Sequence, residues 1–161
     1  MTVDPEELRQ VMRHWPTGVT IVTSVFEGKR HGMTVNSFAS LSLQPPNVSV
    51  TLGSTTRTHQ LVERAGIFGV TLLKEDQGSI SDRFAGKAGE EVDRFQGFEI
   101  ETLLTGAPFL KNGSAFLDCR VIFRYPMKNS TLFIGEVVAS WINEPGKPLL
   151  YFNRTYQRLS E

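Results

Sequence analysis

Two long β-patterned segments, 114–125 and 131–142, are separated only by Pro126-Met127-Lys128-Asn129-Ser130, and this spacing constrains the fold more than any other feature. A connection that short cannot carry a crossover, so the two segments must run antiparallel as a hairpin. Shorter β patterns precede them at 18–25, 33–38, 48–52 and 67–73, and a last one lies at 149–152. Glu27-Gly28-Lys29-Arg30 joins the first two as a hairpin turn. Helical spacing is confined to short stretches. Asp4-Pro5-Glu6-Glu7 supplies an N-cap, a first-turn proline and acidic residues ahead of Leu8, Val11 and Met12. Segment 58–65 stops at Gly66, and segment 75–84 reads as helix despite Gly78. Residues 85–112, rich in glycine and charge, read as a long loop at a ligand mouth. A mainly β chain with short helices is expected to close into an antiparallel barrel, because closure leaves no edge strand exposed. Its 161 residues show no linker, repeat or low-complexity tract, so one domain over residues 1–161 is expected.

Charge excludes several partners. Lys plus Arg and Asp plus Glu both number 17, and the basic residues are scattered, so neither a nucleic-acid backbone nor an anionic membrane is an expected partner. The N-terminus lacks a basic stretch followed by an apolar one, and no apolar run reaches the length of a span, which reads as a cytoplasmic chain. Cys119 stands alone inside an apolar strand pattern, as a packed core thiol does. His14, His31 and His59 lack the spacing of a metal cluster, so no metal is expected. The dinucleotide glycine fingerprint is also missing.

The chemistry-bearing residues fall in two groups. Gly32-Met33-Thr34-Val35-Asn36-Ser37-Phe38 continues through Ala39-Ser40-Leu41-Ser42, and Gly53-Ser54-Thr55-Thr56-Arg57-Thr58-His59 follows the next strand. Glycine permits close backbone approach, while hydroxyls and the Asn36 amide donate and accept at fixed positions. Together they suit a ligand with a phosphate and an amide-bearing ring, as a flavin has. Either segment alone is more often a hydroxyl-rich turn with a solvated face.

With these segments in order, the chain resembles the short-chain flavin reductase family, the reductase components of two-component flavin-dependent monooxygenases. The resemblance also runs through Arg13-His14-Trp15-Pro16-Thr17-Gly18, Asp82-Arg83-Phe84-Ala85-Gly86, Leu117-Asp118-Cys119-Arg120-Val121, Thr131-Leu132-Phe133-Ile134-Gly135-Glu136-Val137 and Pro148-Leu149-Leu150-Tyr151-Phe152. It implies the split-barrel, Greek-key FMN-binding fold, and a homodimer with flavin near the subunit interface. It implies that Thr34, Val35, Asn36 and Ser37 line the isoalloxazine, with Leu41 and Ser42 beside them. Ser54, Thr55, Thr56, Arg57, Thr58 and His59 would surround the ribityl chain and phosphate, which fits hydroxyl and guanidinium chemistry. Arg83 and Phe84 match a further family contact, with a helix-end charge and a core aromatic as the plain alternative. Tyr151, Phe152 and Arg154 lie where the family places its C-terminal cofactor contacts; for Arg154, an exposed terminal arginine is the plainer explanation.

The chain departs from the family in two places. Family reductases commonly carry Gly-Asp-His before the last long strand, with the histidine on the nicotinamide side; this chain has Lys128-Asn129-Ser130. Ser130, the catalytic-position candidate, can hydrogen-bond a carboxamide or ribose but offers no imidazole. Tyr151-Phe152-Asn153-Arg154-Thr155-Tyr156 stands where the family tends to have a Gly between two basic residues. The expected function is an NAD(P)H:flavin oxidoreductase that reduces FMN or FAD for a partner monooxygenase. The protein need not supply a nucleophile, since the cofactor carries the reactive atom. The alternative motivated by Ser130 is a repurposed FMN-binding flavoprotein without normal NAD(P)H reductase activity, acting on a secondary metabolite. A flavin carrier or haem-binding relative of the same scaffold without turnover ranks last, because haem would want an axial histidine and His59 is the one plausible candidate.

Overall fold

A computed structural model describes residues 2–160. In chain order its elements are α1 (Pro5–Met12), β1 (Thr17–Gly18), β2 (Thr20–Phe26), β3 (Lys29–Val35), β4 (Ala39–Leu43), β5 (Pro46–Gly53), α2 (Arg57–Ala65), β6 (Ile67–Leu72) and α3 (Gly78–Phe84). There follow β7 (Ile100–Thr102), β8 (Pro108–Leu110), β9 (Ala115–Pro126), β10 (Ser130–Ile142), β11 (Leu150–Phe152) and β12 (Thr155–Gln157). The expected hairpin is the spine: β9 and β10 pair antiparallel from Thr131↔Pro126 to Ile142↔Ala115, with register shifts after Ile134 and after Val137. Around it a seven-stranded sheet runs in the order β3-β2-β6-β9-β10-β5-β4.

Strand periodicity divides the core. Neighbouring residues of a strand point to opposite faces, and on β2 Val22 joins a cluster with Val50, Leu52, Phe68 and Phe133, while Ile21 joins one with Leu73, Phe84, Leu110 and Leu149. Segment 18–25 therefore reads as almost uninterrupted apolar and β-branched sequence, because both faces are covered. Close strand packing fixes two glycines. A Cβ on Gly69 of β6 would lie 2.4 Å from the Phe116 ring, and one on Gly135 of β10 would lie 2.5 Å from the Phe68 ring.

The mainly β class with short helices holds, but the sheet is not closed into a barrel. The edge strands β3 and β4 share no ladder. The corner Asn36-Ser37-Phe38 carries the chain from one edge to the other. There Ser37 Oγ donates to the Thr51 carbonyl at 2.8 Å and accepts from the Thr51 N–H at 3.2 Å. One hydroxyl satisfies both Thr51 backbone groups just beyond the end of the β4–β5 ladder, and with β3 and β4 left as separate edges the expected split-barrel, Greek-key closure is corrected to an open sheet. The expected loop over residues 85–112 is also more ordered than its composition implied. It contains the β7–β8 hairpin and buries Phe95, Ala107, Phe109 and Leu110. Thr23 Oγ1 donates to the Pro108 carbonyl, and the buried Asp118 carboxylate accepts from the Thr105 N–H and hydroxyl. Cys119 is buried, and burial next to Asp118 pushes its thiol up to about 12.

Candidate functional site

Two cavities, of about 500 and 450 Å³, open beside β3 and share Thr34 and Ala85 in their walls. Their size is that of a cofactor site. The larger is bordered by Asn36 at the end of β3, by Ser81 and Asp82 of α3, and by Tyr151, Arg154 and Tyr156 of the small β1-β11-β12 sheet. Tyr156 Oη lies 2.7 Å from Asp82 Oδ1 and 2.8 Å from Ser81 Oγ. Lys87 Nζ donates to the same Asp82 oxygen at 2.7 Å. Hydrogen bonds from Lys87 and Tyr156 hold the Asp82 carboxyl below its ordinary value, and desolvation is the main cause that raises the Tyr156 phenol. Thr34 Oγ1 donates to the Ser81 carbonyl and fixes α3 against β3.

The smaller cavity is cationic. Thr55, Thr56 and Arg57 enter it from the start of α2, His31 and Met33 from β3, and Arg94 and Glu90 from the excursion after α3. Thr56 caps α2 by accepting from the His59 N–H at 3.2 Å, which aims the first-turn N–H groups of the helix toward this end of the site. Arg94 is buried; it donates to the Gly32 and Phe84 carbonyls at 3.0 and 2.8 Å and pairs with Glu90 at 3.2 Å. His31 Nδ1 lies 2.8 Å from Thr58 Oγ1. Burial, then the charges of Arg94 and Arg57, lower His31 from 6.5 to about 4, with Glu90 opposing them.

Of the residues singled out from sequence, Thr34, Asn36, Thr55, Thr56, Arg57, Phe84, Tyr151 and Arg154 line these two cavities. The Phe84 side chain is nevertheless core, edge-on to Phe95. Val35 is buried, with its side chain in the core. Ser37 is engaged with Thr51, while Leu41 and Ser42 lie on edge strand β4, where Ser42 Oγ donates to the Pro45 carbonyl. Ser54 ties its N–H to the Asn129 carbonyl at 3.0 Å. Thr58 is buried against His31, and His59 turns inward, its Nε2 2.8 Å from Thr131 Oγ1 and its ring against Phe133. Arg83 stacks its guanidinium over Phe98 at 5.2 Å, and Phe152 is exposed on β11. Ser130 pairs with Gly53 at the start of β10, next to the 54–56 turn. It does not line either cavity.

Sequence reasoning passed over His31, Asp82, Lys87, Arg94 and Tyr156. Two left a signal: His31 immediately precedes Gly32, and Asp82 opens the Asp82-Arg83-Phe84 motif. Tyr156 meets Asp82 across 74 positions, and nothing local marks Arg94 as buried. Among the described residues no group of His, Cys, Asp and Glu is placed to hold a metal, and no helix is long and apolar enough to cross a membrane.

Comparison with known proteins identifies the family. The flavin reductase like domain family matches residues 12–160. The reductase component of the FADH(2)-dependent resorcinol hydroxylase of Rhizobium sp. (strain MTP-10005) is 36% identical over 153 residues, which cover 94% of this chain and 85% of that protein. The actinorhodin polyketide dimerase of Streptomyces coelicolor is 34% identical over 160 residues, 99% of this chain and 89% of that protein. The Streptomyces globisporus C-1027 NADH:FAD oxidoreductase SgcE6, solved in complex with NAD and FAD fragments, superposes with a TM-score of 0.88 at 31% identity, covering 99% of this chain and 97% of that one. The sequence match spans nearly the whole chain and the fold agrees with it, so this protein belongs to the flavin reductase-like family.

Proposed function

We propose that this protein is an NAD(P)H:flavin oxidoreductase that reduces FMN or FAD by hydride transfer and supplies the reduced flavin to a partner monooxygenase. The observation that carries this reading is the pair of adjoining cavities, cationic around Arg57 and Arg94, polar and aromatic around Asn36, Tyr151 and Tyr156. That polarity fits a flavin: an anionic tail at one end and a hydrogen-bonding ring at the other. A bound flavin supplies the hydride-accepting chemistry. The chain's residues bind and orient. Thr55, Thr56, Arg57 and the first turn of α2 hold the phosphate. Thr34, the Val35 backbone and the Asn36 amide meet the polar edge of the ring, while Tyr151 and Arg154 border the space for the nicotinamide dinucleotide.

Residues 1–161 act as one domain in the cytoplasm, and the working unit is a homodimer. Support for the dimer comes from α1, whose Leu8, Val11 and Met12 are 53, 60 and 51% exposed although they share one helical face. Leu43 of β4 and Ile122 of β9 are exposed as well.

A second reading, a flavoprotein without normal NAD(P)H reductase activity that acts on a secondary metabolite, draws support from Ser130 and from the similarity to the polyketide dimerase. Steady-state oxidation of NADH and NADPH, with and without added FMN or FAD, separates the two. Turnover that requires added flavin supports the reductase, and tight flavin binding without turnover supports the second reading.

A further inference from the structure

His31 is the uncommitted group in the cationic cavity. Its ring faces that cavity from β3, and its Nδ1 is engaged by Thr58 Oγ1, which leaves Nε2 for a ligand. The charged groups around it come from three elements: Arg57 from α2, Arg94, Glu90, Glu91 and Asp93 from the excursion, and Arg30 from β3 itself. Arg94 is fixed by two backbone carbonyls and by Glu90, and Arg57 NH1 donates to the Glu90 carbonyl at 3.3 Å. Arg57, Arg94, Thr55 and Thr56 thus border a space that the His31 imidazole also lines.

We propose that His31 is a ligand to the diphosphate of FAD and takes up a proton when that anion binds. The inference rests on the flavin-reductase reading above. Without an anion, burial and then the charges of Arg94 and Arg57 keep the ring neutral, holding it at about 4. A diphosphate between Arg57 and Arg94 reverses the sign of the field at the ring, so the imidazolium becomes the favoured form and Nε2–H donates to a phosphate oxygen. Proton uptake coupled to binding makes affinity rise as pH falls. FAD is the suitable probe because its diphosphate does not titrate near neutrality, whereas the FMN phosphate does.

The experiment is fluorescence titration of the full chain with FAD and with riboflavin, which has the ring but no phosphate, at pH 8 and pH 5.5. If the bound ring regains about its ordinary pKa, FAD affinity rises about tenfold between the two pH values while riboflavin affinity stays level. The rise disappears in His31→Asn, which retains an amide to meet Thr58, and in His31→Gln. Equal pH dependence for both flavins, or a rise retained in both variants, overturns the role of His31. FAD binding with a flat profile overturns it too and leaves the reductase reading intact. No flavin binding at either pH overturns both.

Discussion

At the scale of single residues, the account turns on which side chains face the two cavities. Asn36 follows β3, is exposed, and borders the larger cavity, where its amide is proposed to meet the polar edge of a flavin ring. One such hydrogen bond is worth about 0.5–1.5 kcal/mol, so Asn36→Ala should weaken flavin binding about 2- to 10-fold by fluorescence titration. Unchanged affinity removes Asn36 from the site. Ser130 sits beside Gly53 at the foot of β10, outside both cavities of the single chain. If it faces the nicotinamide in the proposed dimer, Ser130→His alters the KM for NAD(P)H and leaves flavin affinity nearly constant. A parallel loss of flavin binding places it elsewhere. Local chemistry made Thr55, Thr56 and Asn36, which border the cavities, legible in the sequence, whereas Ser54 borders neither. His59 was not legible in this way, because only the tertiary pairing of α2 with β10 turns its ring toward Thr131.

Among the elements, the β9–β10 hairpin was readable because its pattern is long and its connection short. The helices were readable from their ends: Asp4 accepts from the Glu6 N–H at 2.8 Å, and Gly66 takes the left-handed conformation at φ 66° after α2. The first β pattern proved to be two strands, since Val19 breaks the ladder and its carbonyl accepts from the Leu73 N–H at 3.1 Å. Residues 85–112 misled because their burial depends on distant partners such as Pro108 with Thr23 and Thr105 with Asp118. Barrel closure misled because whether the edges β3 and β4 meet is a matter of long-range strand pairing, which strand-like segments do not reveal one by one. Close packing at the centre of the sheet gives a sharp test. A Cβ at Gly69 would meet Phe116 at 2.4 Å and Thr23 Oγ1 at 2.8 Å, whereas one at Gly18 of β1 meets nothing within 4 Å. Gly69→Ala should lower stability by about 1–3 kcal/mol in urea denaturation, with Gly18→Ala close to neutral. Equal midpoints for the two variants contradict this packing.

For the whole molecule, charge and solvation link the fold to its ligand. His31 protonates near 6.5 when unfolded and near 4 when folded, so between those values the unfolded chain binds more protons and stability falls as pH falls. After allowance for solvent screening of a partly exposed ring, the loss is about 1–2 kcal/mol. The urea midpoint should drop from pH 7 to pH 4.5, less so in His31→Asn; an equal drop in the variant assigns the effect to other groups. The same cationic cavity that destabilises the protonated ring is the one proposed to hold the flavin phosphate. The exposed apolar face of α1, with Leu8, Val11 and Met12 on one side of the helix, is the observation that supports the proposed homodimer. Flavin reduction is the central claim, and anaerobic mixing of the purified protein with FAD or FMN and either NADH or NADPH tests it most directly, with nicotinamide and flavin absorbance followed together. The account predicts that both fall in equal amounts with at least one donor. Flavin that binds yet keeps its colour while both nicotinamides remain unoxidised would contradict it.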